Sequence, residues 1–338
     1  MRALSETDLE LVDALQVNPR ASWNAVAAPL GVSALTASRR WKALTADGLA
    51  WSEATPGPQL FRGVFLELAC RPGTADAVVH ALNEMPDVVT VGRLAGEFDL
   101  YAIAVAPTLA ALRSLLWRRV DRLDVARKRA HVYTHVYGGQ HWRLTVLNRE
   151  QAAQLRDTPA KPLPEAVVDA EDRRLFRALT RDARRSYVEL AEDLGSTPQA
   201  VRRQLTRMRR RGSLAFRTDV ARPAAGWPVA ALLRLSVPDE HVHSVGRAVG
   251  ALPETRFCAP VIAAANLVLI VNLRAAELLQ HFVAELTTRH PLMSVAERST
   301  VLQLAKVHGR VLDESGHCVR IVPVDPWFAE DSDAPTHG

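Results

Sequence analysis

Two clusters of basic side chains, each on a predicted helix, are the residues whose spacing most directly indicates chemistry. The first contains Arg39, Arg40 and Lys42, and the second contains Arg202, Arg203, Arg207 and Arg210. Arginine binds phosphate oxygens and guanine edges, and arginines crowded on a few helical turns repel one another unless anions neutralise them. The alternative reading is a basic face that is only solvated. The elements that carry these side chains decide between the two.

The first cluster lies on the second helix of a predicted helix pair. A short apolar-periodic helix ends at Gly31, and Ser33 is suited to cap the helix that follows. In that second helix Ala37, Trp41 and Leu44 share one face, which leaves the basic residues on the other. A helix, a turn with glycine and a helix with one buried stripe are the pattern of a helix-turn-helix.

The same pattern recurs 164 positions later. This separation relates Gly31 to Gly195, Ser33 to Thr197 and Arg39 to Arg203. A repeat this long indicates a duplicated pair of domains rather than a solenoid. Each helical region precedes strand and helix patterns in the order β-α-β-β-α-β, the ferredoxin-like arrangement. Its helices cover one face of the sheet, so the other face needs a partner.

The sequence therefore predicts an α+β protein with two winged-helix-like helix-turn-helix units, each followed by a ferredoxin-like βαββαβ domain. We expect helix-turn-helix domains at 1–55 and 166–222, βαββαβ domains at 60–147 and 228–322, a linker at 148–165 and a disordered acidic tail at 323–338. Whether the two sheet domains pair within one chain or between chains is left open at this point.

Composition limits the other classes. The 338 residues carry a net charge of +5, which favours a polyanionic partner. The three cysteines show no paired spacing, so neither a disulfide framework nor a metal site is indicated. No apolar run is long enough to span a membrane, and the amino terminus does not resemble a signal peptide. We expect a cytoplasmic protein with no cofactor, no metal and no membrane partner.

The helix-turn-helix residues resemble those of the Lrp/AsnC (leucine-responsive/asparagine-responsive, feast/famine) transcriptional regulators. The matching residues are Asp8, Leu15, Arg20, Leu30-Gly31-Val32-Ser33, Arg39-Arg40, Leu44 and Gly48, then Asp172, Leu179, Arg184, Leu194-Gly195, Thr197, Arg202-Arg203 and Gly212. The turn Gly96-Glu97-Phe98-Asp99 looks like the Gly-x-x-Asp turn of the family's effector domain. Members usually carry one copy of each domain and dimerise, so this chain looks like a tandem fusion.

The resemblance implies a sequence-specific regulator that binds double-stranded DNA, senses a small molecule, often an amino acid, and forms homo-oligomers through its βαββαβ domains. It implies a nucleoid-associated protein with no catalytic residues, and we expect that the chain is not an enzyme. The residues expected to contact DNA are Ser33, Thr36, Ser38, Arg39, Arg40, Lys42, Thr197, Gln199, Arg202, Arg203, Arg207 and Arg210. Because the helices differ at their outer faces, with Arg40 against Gln204 and Ala43 against Arg207, we predict an asymmetric operator.

The residues expected to bind the effector are Ala95, Gly96, Glu97, Phe98 and Asp99. Gly96 permits a close backbone approach, nearby amides suit a carboxylate, and Asp99 suits an ammonium group. The alternative is a plain hairpin turn. The second copy reads Ala263-Ala264-Ala265-Asn266, so we predict weak or no effector binding there.

Two further readings stay open. Tandem proteins that resemble this family include sirohaem decarboxylases, whose Trp-Pro-Tyr-Asn-Leu-like stretch corresponds here to 260–267 and keeps only Asn266-Leu267. The other reading is an amino-acid sensor that no longer binds DNA. A salt-dependent gel shift separates a sensor from a DNA-binding regulator.

Overall fold

The computed structural model describes residues 4–57, 60–133, 135–139, 142–157, 161–164 and 167–328. The chain forms two compact units, and each takes one segment from each half of the sequence. The helical unit comprises Met1–Leu60 with Arg143–Ala225, and the sheet unit comprises Phe61–Trp142 with Gly226–Gly338. Each unit is described by itself.

Within the described residues, the α-helices are α1 Glu6–Val17, α2 Trp23–Leu30, α3 Ala34–Ala46, α4 Ala75–Glu84, α5 Leu109–Ser114, α6 Arg149–Leu155, α7 Ala170–Arg181, α8 Tyr187–Leu194, α9 Pro198–Arg210, α10 Val242–Gly250 and α11 Leu278–Arg289. The strands are β1 Ala50–Pro56, β2 Arg62–Cys70, β3 Val88–Ala95, β4 Leu100–Ala106, β5 Val125–Tyr133, β6 Leu214–Val220, β7 Val229–Ser236, β8 Thr255–Pro260, β9 Leu267–Leu273, β10 Ser294–Val307, β11 Arg310–Leu312 and β12 Cys318–Ile321.

The first helix-turn-helix forms for the reasons that its sequence indicates. Gly31 ends α2 in the left-handed conformation, with φ of 64°, where a side chain would be strained. The Ser33 hydroxyl accepts from the Thr36 amide and so caps α3. Ala37, Trp41 and Leu44 are buried, as predicted.

The second helix-turn-helix repeats this geometry. Gly195 ends α8 with φ of 63°, and the Thr197 hydroxyl accepts from the Ala200 amide to cap α9. Pro198 occupies the first turn of α9, where the missing amide hydrogen is not needed. The predicted duplication is thus confirmed at the level of individual caps.

The two helix-turn-helix domains pair within the chain. Strands β1 and β6 form an antiparallel ladder from Ala50 opposite Val220 to Pro56 opposite Leu214. The Ser52 and Thr218 hydroxyls lie 2.7 Å apart in this ladder and are buried. The wing strand of each domain therefore pairs with the wing strand of the other in a two-stranded sheet.

In the sheet unit, the two βαββαβ domains join in one continuous sheet with the strand order β5-β2-β4-β3-β10-β7-β9-β8. The first four strands and the last four follow the same ferredoxin-like order, and β3 pairs with β10 at the join. The predicted order of elements is therefore confirmed. The pairing that the sequence left open occurs within one chain.

Three apolar clusters hold the sheet unit together. Two of them lie between one half of the sheet and its own helices, α4 with α5 and α10 with α11. The third joins the inner faces of both halves, where Phe65 stacks on Tyr101 and Phe257. A bridge from Gly138 to Cys258 links the far edges of the two halves. The faces that needed a partner thus cover each other.

Several elements differ from expectation. The predicted linker at 148–165 contains α6, because Asn148 caps it and Ala152 and Leu155 are buried. The predicted disordered tail is wrong for 323–328, where Val324 and Trp327 are buried; its remainder at 329–338 lies outside the described residues. Helix α5 continues into a π turn at Leu115–Arg119, and the β11–β12 hairpin lies outside the predicted βαββαβ order.

Candidate nucleic-acid interface and effector turn

The outer face of α3 is open to solvent. Ser33, Thr36, Arg39 and Lys42 are exposed, opposite the buried stripe that packs against the domain. Among the described residues neither Arg39 nor Lys42 has an acidic partner. The two cations are therefore available to neutralise phosphates or to reach base edges.

Arg40 and Ser38 are only half exposed. The Arg40 guanidinium donates to Asp8 Oδ1 at 3.0 Å, and the other oxygen of Asp8 accepts from the Ser5 amide and hydroxyl. Arg40 thus ties α3 to the first turn of α1. Of the residues predicted to contact DNA, this one is already held by its own domain.

The outer face of α9 repeats the arrangement with more charge. Thr197, Gln199, Arg202 and Arg203 are exposed, and neither arginine has an acidic partner in the described part of the chain. Gln204, the counterpart of Arg40, donates to Asp172 Oδ1 at 2.9 Å.

Arg207 and Arg210 are held by neighbouring groups. Arg207 also reaches Asp172 Oδ1, at 3.1 Å, so α9 is tied to α7 by two side chains. The Arg210 Nε donates to the Lys161 carbonyl at 2.8 Å. The exposed cations of this face are therefore concentrated at Arg202 and Arg203.

Sequence reasoning missed the role of Arg20 and Arg184. Arg20 donates to the carbonyls of Ala183 and Arg185, and Arg184 donates to those of Pro19 and Ala21, at 2.7 and 2.9 Å. Both lie in the interface between the two helix-turn-helix domains, and burial lowers the pKa of Arg184 to about 10. Their separation of 164 positions was the available signal.

Side chains of the predicted effector turn at 95–99 already make contacts with other residues of the same domain. Glu97 Oε1 lies 2.9 Å from Arg127, and the buried Phe98 ring has Arg127 and Arg129 over it at 5.0 and 4.6 Å. Asp99 Oδ2 accepts from the Cys70 amide at 2.7 Å. Ala95, Gly96, Glu97 and Asp99 are exposed.

In the second turn, at 263–266, Asn266 accepts a main-chain hydrogen bond equivalent to that of Asp99. Asn266 Oδ1 accepts from the Val237 amide at 3.0 Å, as Asp99 does from Cys70. Asn266 Nδ2 donates to the Val237 carbonyl at 2.7 Å. Asp99 and Asn266 therefore both fasten their turn to the end of the first strand of their domain, a structural role that needs no ligand.

Between the inner sheet faces lies a group of charged residues that sequence reasoning also missed. Glu67 accepts from Arg234 at 3.1 Å, and Arg129 donates to Glu297 at 2.8 Å. His131 Nε2 lies 3.1 Å from Arg234 Nη2. Burial raises the pKa of Glu67, and burial together with the charge of Arg234 lowers the pKa of His131.

Lys306 is a buried cation at the join between the two halves of the sheet. Its Nζ donates to the carbonyls of Asn83 and Met85, each at 2.8 Å, at the end of α4. Burial lowers its pKa to about 7. The favourable helix end and the cost of burial thus oppose each other at this amine.

Two classes of site are not found in the described residues. No group of three or more His, Cys, Asp or Glu side chains could hold a metal ion there. Within the same ranges, no helix is both long and apolar enough to cross a bilayer.

The sequence model of the AsnC-type helix-turn-helix domain matches residues 4–45 and again residues 168–209. The model of the Lrp/AsnC ligand-binding domain matches residues 63–138. The chain is built from Lrp/AsnC-type domains. The repeated match agrees with the duplication in the structure, so these Lrp/AsnC-type domains occur in a tandem arrangement.

The proteins to which this chain is similar include a regulator, by sequence, and an enzyme, by fold. The chain is 26% identical over 121 residues to the HTH-type transcriptional regulator Ptr1 of Methanocaldococcus jannaschii, covering 35% of this chain and 82% of Ptr1. It matches the solved structure of the siroheme decarboxylase NirDL with a TM-score of 0.58 and 12% identity, over 96% of both chains. NirDL in complex with an iron-uroporphyrin III analogue matches with a TM-score of 0.58 and 13% identity, over 97% of both chains.

The likeness to NirDL corrects one expectation. We expected that the tandem Lrp/AsnC chain is not an enzyme, but an enzyme has the same fold over nearly its whole length. The architecture alone therefore does not exclude catalysis, and that expectation is wrong as an inference from the fold.

Proposed function

We propose that this tandem Lrp/AsnC protein is a sequence-specific transcriptional regulator that binds double-stranded DNA. The observation that carries the proposal is the pairing of two helix-turn-helix domains in one unit, with exposed cations on α3 and α9. Recognition helices of paired domains enter successive major grooves about 34 Å apart. Such a protein acts in the cytoplasm, on the nucleoid.

We assign each proposed DNA contact from the hydrogen-bonding groups that the side chain does not already use within the protein. Arg39, Arg202 and Arg203 bind base edges or phosphates, and Lys42 binds phosphate. Hydroxyl and amide side chains bind the DNA backbone and so fix the register of the helices. These are the side chains of Ser33, Thr36, Ser38, Thr197 and Gln199. Arg40 and Arg207 contribute charge while they remain bonded to aspartates of their own domains, and Arg210 does so while bonded to the Lys161 carbonyl.

The two halves present different surfaces, so we propose an operator with unequal half-sites. Arg40 faces solvent partly where the second domain has Gln204, and exposed Ala43 corresponds to Arg207. More cations on α9 give that half-site more phosphate contacts and a steeper salt dependence. Equal binding of the two domains to a symmetrised operator would contradict this.

The effector proposal rests on the turn at 95–99. We propose that a small molecule, probed as an amino acid, binds beside Gly96, with Glu97 and the Asp99 carboxylate near its ammonium group. Because Asp99 already accepts from Cys70, only its remaining lone pairs are open to the ligand. The turn at 263–266 lacks both Gly and Asp, so we propose one effective site per chain.

We also propose that whole chains associate through their βαββαβ domains. The inner sheet faces already cover each other within the chain, so other surfaces of these domains would form the contact.

The experiment is fluorescence anisotropy with genomic fragments enriched by the full-length protein, over a salt series. Reversal of both Arg39 and Arg203 to Glu is expected to lower affinity and flatten the salt dependence. Arg289→Glu, an exposed change on α11 in the sheet unit, is the matched control. Unchanged affinity and salt slope in the Arg39/Arg203 double variant would refute DNA binding by these helices.

A sirohaem-decarboxylase-like enzyme is the second candidate, favoured by the NirDL fold likeness. The basic groups between the sheet faces suit substrate carboxylates, but Arg129 and Arg234 are bonded to Glu297 and Glu67. Addition of sirohaem to the purified protein separates the candidates. A saturable shift of the sirohaem absorption band, together with a fall in the mass of the sirohaem by that of carbon dioxide, supports the enzyme. An unchanged spectrum rejects the enzyme hypothesis.

A further inference from the structure

In the helical unit, the two halves of the chain meet at a pair of equivalent positions. In a symmetric dimer of one half, the same residue of both copies would occupy this pair. The ladder between β1 and β6 pairs seven residues of each strand, and its central pair is Glu53 opposite Arg217. These two residues are 164 positions apart, the separation that relates the two domains. A local two-fold axis therefore passes through this pair.

The two residues on this axis have opposite charges and are buried. The Glu53 side chain is 1% exposed and that of Arg217 is 10% exposed, with Nε and Oε1 3.8 Å apart. Asp219 accepts from Arg217 at 2.9 Å. If two copies of the first half paired through β1, Glu53 would lie opposite Glu53. Like charges opposite each other in a ladder are destabilising, and more so when buried.

The sheet unit contains the same relationship. Glu67 and Arg234 are 167 positions apart, the separation that also relates β4 to β9. Both side chains are 3% exposed, and they are bonded to each other at 3.1 Å. They too are counterparts that meet across the boundary between the halves.

Their neighbours on the adjacent strands have the reverse charges. Arg129 lies opposite Glu67 in the β2–β5 ladder, and Glu297 lies opposite Arg234 in the β7–β10 ladder. Arg129 and Glu297 are bonded at 2.8 Å. The four charges alternate, so the two ion pairs that these residues form between the halves, Glu67 with Arg234 and Arg129 with Glu297, each join a cation to an anion. Pairing of either half with its own copy would place like charges at these contacts.

Arg20 and Arg184 behave differently. They are also counterparts in the interface, but both are arginines and both bind main-chain carbonyls. Such contacts would form equally well if a half paired with its own copy. Discrimination between partners therefore resides in the oppositely charged positions.

We propose that these charges make the two halves of the chain recognise each other and reject copies of themselves. The partner that fits each half is the complementary half of this same protein. A symmetric dimer necessarily has identical residues at the self-facing positions, so it cannot carry this arrangement. The proposal does not depend on DNA binding.

The test uses full-length variants at Glu53 and Arg217, compared by urea unfolding and by light scattering. Glu53→Arg and Arg217→Glu each create a like-charge contact and are expected to lower the unfolding midpoint clearly. The double charge swap is expected to recover more than half of that loss. Glu53→Gln, which creates no repulsion, is expected to cost less than Glu53→Arg. The same set at Glu67 and Arg234 tests the sheet unit.

Two outcomes overturn the proposal at this stage. One is a swap that is no more stable than the single reversals, and the other is Glu53→Arg tolerated as well as Glu53→Gln. Reversal of the exposed Arg71–Asp124 pair, at 63% and 61% exposure, is the control and should have little effect.

Partner choice is tested by refolding. A chain with Gln at Glu53, Arg217, Glu67 and Arg234 is expected to refold into multi-chain species whose share grows with protein concentration. The wild-type and charge-swapped chains should keep a constant mass. If the neutral chain behaves as the wild type does at every concentration, the charges do not choose the partner. Should the fourfold variant fail to fold, Glu53→Gln with Arg217→Gln alone gives the same comparison.

Discussion

Arg20 and Arg184 each donate their guanidinium hydrogens to main-chain carbonyls on both sides of the other. Arg20 bonds to Ala183 and Arg185, and Arg184 bonds to Pro19 and Ala21. Each also lies over an aromatic ring, Tyr187 for Arg20 and Trp23 for Arg184. The two helix-turn-helix domains are thereby fastened at two equivalent points.

The first prediction concerns this reciprocal contact. Arg184→Ala leaves two partly buried carbonyls without their donors, so we expect a loss of about 2–4 kcal/mol in the free energy of unfolding of the helical unit. Urea unfolding followed by tryptophan fluorescence measures it. Arg184→Lys restores one donor and is expected to recover part of the loss. A change below about 0.5 kcal/mol for Arg184→Ala, the range of ordinary surface substitutions, would contradict the assigned role.

A second prediction follows from the equivalence of Arg40 and Gln204. Arg40→Gln should keep the bond to Asp8, because Gln204 makes that bond to Asp172 in the other half. We expect the stability of Arg40→Gln to stay within about 0.5 kcal/mol of the wild type, and that of Arg40→Ala to fall by about 1 kcal/mol. In DNA titrations, Arg39→Ala should lower the salt slope by about 1. Arg40→Gln should lower it less, and the opposite order would overturn the division of roles on α3.

The turn closed by Asp99 gives a third prediction. Asp99→Asn copies the second half, where Asn266 accepts from the Val237 amide, so stability should change by less than about 0.5 kcal/mol. Asp99→Ala removes the acceptor for Cys70 and is expected to cost about 1 kcal/mol. Calorimetric titration with amino acids then isolates the ligand role. Loss of binding in the stable Asn variant supports an ammonium contact, whereas unchanged binding limits Asp99 to closing the hairpin.

Lys306 gives a fourth prediction, on pH. Burial lowers its pKa from 10.5 to about 7, so between these values the unfolded chain binds more protons than the folded chain. The stabilisation of the sheet unit therefore rises with pH across this window, by at most about 1.4 kcal/mol per pH unit from this group. The charged groups around the amine are Asp87, Glu84, Arg320 and Arg119.

The measurement is the difference in unfolding free energy between the wild type and Lys306→Met at several pH values. Methionine fills a similar volume without titrating, so the difference should shift in favour of the wild type as pH rises above about 7. Parallel curves for the two proteins would show that the amine keeps an ordinary pKa.

Local features of this chain could be predicted from sequence because they depend on neighbouring residues. The caps Ser33 and Thr197 and the left-handed Gly31 and Gly195 are determined within a few positions, and the 164-residue separation identified them twice. The order of strands in each sheet domain followed from hydrophobic periodicity in the same way.

Contacts between the halves could not be read so directly. The bond of Glu67 to Arg234 and the pairing of Glu53 with Arg217 require knowledge that β1 meets β6 and that the sheet halves face each other. Asp8 and Asp172 gave no sign that they would hold Arg40 and Arg207, because their separations of 32 and 35 positions match no local period. The packed residues Val324 and Trp327 were assigned to the tail because acidic neighbours outnumber them.

Because the two wing strands pair within one polypeptide, the pairing of the helix-turn-helix domains does not depend on protein concentration. Two separate subunits drift apart when their number in a cell falls, whereas tethered halves meet at an effective concentration set by the connecting segment. A paired set of recognition helices is thus maintained even at a single molecule per cell. For the proposed regulator, pairing of the two helix-turn-helix domains therefore sets no concentration threshold for the occupancy of a target.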